Sequence, residues 1–168
     1  MSVQVRPLNN VEITDKLARY GIKILFVPYS SLVEYQNLDE IMPCLLLYEL
    51  HDPVGHWTVL FRNEEGINYF DPLGFRPDKL LQTNFDHPMG RELMNADYTH
   101  LLDLLARDGH PIVWNEEHLQ DIKSNTCGYW SGMRLLTQNL TNKQFNGCWK
   151  GYTSQERDRK VVSLYDLF

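Results

Sequence analysis

The stretch GHWTVLFRNEEGINYFDPLG, running from Gly55 to Gly74, constrains the fold more than any other. HWTVLFRN and INYFD are rich in the β-branched and aromatic residues that fit a pleated surface. Only EEG separates them. Two such runs joined by so short a connection predict a β-hairpin of antiparallel neighbours. In a hairpin the start of one strand lies beside the end of the other. His56 occupies the first of these positions and Asp71 the second.

The rest of the chain supplies strands and helices around that hairpin. IKILFV and HPIVWN read as strands, and CLLLYEL as a buried strand ended by HDPVG. NVEITDKLARYG reads as a helix capped by Asn10 and stopped by Gly21. PYSSLVEYQNLDEIMP is turn-rich with room for a short helix, and RPDKLLQTN is a short helix with Pro77 near its first turn. YTHLLDLLARDG and CGYWSGMRLLTQNL repeat apolar residues at helical spacing. TNKQFNGCWKGY carries no clear signal. SQERDRKVVSLYDLF is a closing helix capped by Thr153 or Ser154, with RDRK as a solvated face. These elements predict an α+β fold with a central mixed β-sheet flanked by helices.

Length and composition limit the remaining choices. The 168 residues suit one domain, 1–168, and 43% hydrophobic with 23% charged residues is ordinary globular composition. No apolar run reaches the roughly 18–20 residues of a membrane helix. The first residues, MSVQVRPLNN, lack the apolar core of a signal peptide. A soluble protein of a reducing compartment, without membrane contact, is the expectation. The three cysteines are odd in number and form no CxxC pair, which argues against a disulfide framework and a zinc site. The histidines show no metal-ligand spacing, so neither metal nor cofactor is expected. A formal charge of −6 argues against a nucleic-acid partner.

Four residues could carry chemistry. Cys127 follows the polar segment KSNT and opens a predicted helix, where unpaired N–H groups and the helix dipole favour thiolate. Gly128 leaves room for a substrate backbone beside the sulfur. His56 would act as base and Asp71 would orient it. The Cys127 N–H and the Gln120 amide would form an oxyanion hole, with Asn125 as a weaker candidate for the second donor. His51 is a rival base. Taken singly, each residue has a plainer reading: free cysteine is commonly core, a strand histidine is commonly structural, and Asp71 before Pro72 can simply open a turn. Gln120 alone carries no signal. The order His, Asp, Gln, Cys, each at an element boundary, favours the chemical reading.

That order resembles the adenain-like and SUMO-deconjugating cysteine proteases. The likeness rests on HW, the strand pair ending in YFDPLG, Gln120, and CG opening a helix, and it covers Cys44 to Phe168. The spacing of Gln120 and Cys127 and the ending SQERDRKVVSLYDLF look more like the viral maturation branch. The resemblance implies a papain-like or adenain-like fold with the nucleophile at a helix N-terminus. It implies His56 as base, Asp71 as orienter, Cys127 as nucleophile, Gln120 as oxyanion donor and Trp57 as a wall of the site. It also implies cleavage at Gly-containing sites of capsid or core precursors during maturation, in the virion and host cytoplasm or viral factory, and a virophage-like source suits the chain. The adenovirus-type enzyme is basic and uses DNA and a disulfide-linked peptide as activators. The acidic charge here does not carry DNA activation over. A peptide activator stays open, with Cys44 and Cys148 in no matching motif. The alternatives are removal of a ubiquitin-like modifier and an inactive scaffold on the same fold.

Overall fold

The computed structural model describes residues 2–51, 54–82 and 98–168. Its centre is a five-stranded mixed sheet in sequence order, from β1 (Leu25–Pro28) through β2 (Cys44–His51), β3 (Val54–Asn63) and β4 (Gly66–Phe70) to β5 (Ile112–Trp114). β2, β3 and β4 pair antiparallel, while β1 and β5 lie parallel at the two edges. The predicted hairpin is β3–β4, turning at Glu64 and Glu65. Its register pairs Val59 with Phe70, so Asp71 falls beyond the last pair, next to Thr58. His56 lies two residues further along β3, a diagonal neighbour.

Side chains alternate across the sheet with the period of two that strands impose. Leu46, Tyr48, Leu60 and Tyr69 pack on one face, with Leu101 and Leu104 of α3 (His100–Asp108) and with two 3-10 turns at Tyr29–Glu34 and Leu38–Glu40. Leu45, Val59, Phe61 and Phe70 pack on the other, with α1 (Asn10–Arg19), α4 (Cys127–Leu136), α5 (Asn142–Gly147) and α6 (Ser154–Leu167). Covering both faces explains why CLLLY, Cys44 to Tyr48, is an unbroken apolar run rather than an alternating one. Among the described residues no helix is long and apolar enough to cross a membrane.

Several boundaries differ from the sequence expectations. The cap of α1 is Asn9 rather than Asn10: its Oδ1 accepts from Glu12 N at 2.9 Å, while Glu12 returns a bond to Asn9 N. Only the residue three before Glu12 can form that reciprocal box. TNKQFNGCWKGY, which carried no clear signal, contains α5, capped by Thr141 with Gln144. Helix α4 stops at Leu136, short of the predicted end, and the backbone leaves the helix at Thr137, φ −114° and ψ 30°. α2 spans Lys79–Gln82, and the end of RPDKLLQTN lies outside the described residues. RDRK is not wholly a solvated face, since Asp158 within it is fully buried.

Candidate active site

The hairpin ends in a tight turn, Asp71-Pro72-Leu73-Gly74. Gly74 N donates to the Asp71 carbonyl at 2.8 Å, and Leu73 N donates to Asp71 Oδ1 at 2.8 Å. Asp first, Pro second and Gly fourth are the residues such a turn favours. Gly74 has φ +77°, and a Cβ there would stand 2.8 Å from the Glu117 carbonyl. Glycine therefore lets the incoming segment cross directly over the turn. The Pro72 carbonyl then accepts from Leu119 N at 3.0 Å and Gln120 N at 2.9 Å. In this way DPLG docks the hairpin end onto the loop leading to Cys127.

Asn115, just past β5, fixes Asp71 from the other side. Its Oδ1 accepts from Asp71 N at 3.0 Å and its Nδ2 donates to the Asp71 carbonyl at 2.6 Å. Sequence reasoning missed Asn115. The only available signal was an asparagine at a strand end, which normally reads as a loop residue.

His56 and Asp71 meet as the hairpin predicts. His56 Nε2 lies 2.8 Å from Asp71 Oδ1, and both residues are buried. A carboxylate only accepts, so Nε2 carries the hydrogen and Nδ1 is left as the basic nitrogen. Asp71 Oδ2 has no hydrogen-bond partner, which leaves the imidazole as the main compensation for this buried charge. Burial alone would lower the pKa of His56. The charge and hydrogen bond of Asp71, with a further contribution from the Cys127 side chain, outweigh it and raise the pKa from 6.5 to about 10. The structure thus brings His56, Asp71 and Cys127 into one cluster. The side chain of His51 and all of His87 lie outside the described residues. His100 stacks on Tyr29 and Tyr98, and His110 pairs with Asp108 at 2.7 Å.

Cys127 is the first residue of α4, preceded by Thr126 at the cap position. The Thr126 hydroxyl makes no capping bond and instead donates to Asp158 Oδ1 of α6 at 2.9 Å. The first N–H groups of α4 are therefore not closed by the cap side chain. Gln120, also buried, gives one amide hydrogen to the Ser124 carbonyl at 3.1 Å and keeps a second to offer. Asn125 is partly committed: its Oδ1 accepts from Val5 N at 3.0 Å and its Nδ2 donates one hydrogen to the Val5 carbonyl. Its second Nδ2 hydrogen is left over, as that of Gln120 is, and Asn125 lines the cleft at Cys127.

A cleft of about 450 Å³ opens at Cys127, with Gly128, Trp57, Phe26, Leu8 and Pro7 among its walls. The segment before α1 forms one wall. Asn125 holds Val5, the Lys123 carbonyl accepts from Gln4 Nε2 at 2.8 Å, and the Arg6 carbonyl accepts from Tyr129 at 3.0 Å. Trp57 Nε1 donates to the Leu8 carbonyl at 3.0 Å. A Cβ on Gly128 would lie 3.1 Å from Leu8 Cβ and 3.2 Å from Trp57 Cδ1. The local need for glycine is thus close packing of this wall against α4. A larger cavity, about 530 Å³, lies between α4, α5 and α6 and includes Cys148, but no carboxylate or imidazole lines it. Among the described residues no group of three or more His, Cys, Asp or Glu side chains could hold a metal ion.

Fold and site define an α+β protein in which a buried aspartate–histidine pair at the end of a hairpin meets a cysteine at a helix N-terminus. No protein-family profile matches the chain. It belongs to the same family as "Uncharacterized protein V9" of Sputnik virophage, to which it is 33% identical over 147 residues, covering 82% of this chain and 80% of the relative. That kinship gives the chain a viral setting.

Proposed function

We propose that this protein is a thiol endopeptidase with an adenain-like, papain-like arrangement, cutting capsid or core precursors at Gly-containing sites during virion maturation. The observation that carries the reading is the 2.8 Å Asp71–His56 pair acting on the Cys127 side chain at an open helix N-terminus. The raised pKa of His56 lets its ring keep the proton taken from Cys127 through neutral pH. Cys127 Sγ attacks the scissile carbonyl carbon, and the carbonyl oxygen becomes an oxyanion facing the Cys127 N–H and the free Gln120 amide hydrogen. Collapse breaks the C–N bond, and His56 gives its proton to the departing amine. Water then attacks the thioester, His56 takes the water's proton, and the sulfur leaves as thiolate. A cleft walled by Trp57 and Leu8 favours a substrate without side chains near the cut. The virophage relative supports a viral, host-infection setting, in which we place the action in the virion or the host-cell viral factory.

Incubating wild type and Cys127→Ala with virion precursor proteins, with and without virion extract, and mapping the cuts by mass spectrometry tests this reading. Cuts after glycine by wild type alone are the expected result. No cutting under either condition overturns it. Faster turnover of a ubiquitin-like C-terminal fluorogenic substrate than of a short Gly-containing peptide would move the substrate to a modifier conjugate.

A further inference from the structure

A second buried carboxylate lies outside the His56–Asp71 pair. Asp158, on α6, is fully buried. Its Oδ1 accepts from Thr126 Oγ1 at 2.9 Å and from Trp130 Nε1 at 2.8 Å, and its Oδ2 accepts from Asp121 N at 3.1 Å. Asp121 begins the loop between Gln120 and Cys127, and Thr126 ends it. One side chain therefore holds both ends of that loop.

The loop is also wired inward. Thr126 spends its single proton on the Asp158 carboxylate, so in its 2.9 Å contact with Ser124 Oγ it accepts. Ser124 N donates to the Asp121 carbonyl at 2.9 Å, and the Ser124 carbonyl receives the Gln120 amide. A continuous hydrogen-bonded chain thus runs from Asp158 through Thr126 and Ser124 to Gln120. At φ −95° and ψ 6° the Thr126 backbone lies outside the extended region from which a threonine ordinarily caps, and its hydroxyl bonds Asp158 instead of the first turn of α4. A buried carboxylate is an expensive way to stabilise a helix contact, since an apolar side chain would pack there without desolvating a charge. What an apolar residue could not do is accept three hydrogen bonds from two ends of a loop and a helix.

We infer that Asp158 is a positioning residue for the oxyanion loop: it sets Gln120 and the Cys127 N–H relative to the sulfur and keeps the start of α4 open. This rests on the peptidase reading for its catalytic meaning, though the geometry it predicts at Cys127 does not. Asp158→Asn keeps one acceptor for Thr126 and Trp130 but turns N–H groups toward Asp121 N. Thr126→Val preserves shape and removes only the Thr126 hydroxyl, breaking its bonds to Asp158 and Ser124 while Trp130 and Asp121 N still hold Asp158.

The test measures kcat and KM on a Gly-containing peptide, the rate of Cys127 alkylation by iodoacetamide read by peptide mass, and thermal melting, for wild type and both variants. Each variant is expected to lose about 10- to 100-fold in kcat with KM within about twofold, and to change the Cys127 alkylation rate, while still melting cooperatively above the assay temperature. Wild-type kcat and alkylation rate in folded Thr126→Val overturn the inference, even if Asp158→Asn does not fold. If wild type cleaves no peptide, the peptidase reading fails. The alkylation rates then still decide whether Asp158 governs the surroundings of Cys127.

Discussion

Helices α6 and α4 pack against each other, yet they begin in opposite ways. At α6, Thr153 accepts from Glu156 N at 3.2 Å and Glu156 returns a bond to Thr153 N at 2.8 Å, closing the first turn with neighbouring residues. α1 and α5 begin with the same kind of box. At α4 the cap threonine faces away, bound to Asp158 of α6, and the next residue is Cys127. α1, α5 and α6 thus close their first turns with their own residues; α3 has no cap bond from Thr99, but its His100 and Leu102 N–H groups donate to Tyr29 and Asp78. The helix that carries the sulfur leaves its start open and is held from a distance, a local rule broken at the candidate site and compensated by tertiary contacts.

This contrast predicts that substitutions around the start of α4, including its α6 partner Asp158, change chemistry more than stability, and those at the closed start of α6 the reverse. The largest effect is expected at Asp71. Asp71→Asn should lower peptide turnover about 10⁴-fold, by removing the charge that holds the His56 tautomer. The same variant tests the electrostatics. Because the His56 pKa is raised from 6.5 to about 10 in the folded protein, its contribution to stability is fully present below pH 6.5 and is lost as pH rises through 10. The stability gap between wild type and Asp71→Asn in urea melts should therefore narrow across that window. A gap that widens with pH would contradict the pair.

Gln120→Ala should cost about 10²- to 10³-fold in kcat with little change in KM, as loss of one oxyanion donor does. Equal kcat and an altered KM would instead make Gln120 a binding residue. Asn115→Ala should lower turnover roughly 10- to 100-fold through misplaced Asp71. It should also destabilise by about 1–3 kcal/mol in chemical melts, because the buried Asp71 N–H and carbonyl lose their partner. The smallest effect is expected at the closed helix. Thr153→Ala should cost about 1 kcal/mol of stability and leave turnover unchanged. A loss of turnover there beyond the loss of folded protein would erase the distinction between the two helix starts.

How far the sequence could be read follows the same division. The α6 cap, the hairpin and the DPLG turn depend on residues close together in the chain, and they were legible as patterns; the Thr141–Gln144 box of α5 is just as local and went unread. The α1 cap was misassigned by one residue because two asparagines, Asn9 and Asn10, stand side by side and only the box with Glu12 separates them. RDRK looked like a solvated face because three of its four residues are basic, and nothing local marks Asp158 as the buried member. Asn115 and the segment from Gln4 to Leu8 gave no signal, because their partners Asp71, Asn125 and Trp57 are distant in the chain.

The sequence by itself determined that His56 and Asp71 would be neighbours, since a short connection between two strand-forming runs leaves them little other arrangement. It also determined that Cys127 would open a helix. Only the tertiary structure decided that these two places meet. That depended on Gly74 admitting the 117–118 backbone, Pro72 receiving Leu119 and Gln120, and Asp158 gathering the loop between Asp121 and Thr126. Short-range hydrogen bonds can be read from spacing because the chain itself supplies the proximity. Long-range ones exist only after burial of the shared core has brought their donors and acceptors together.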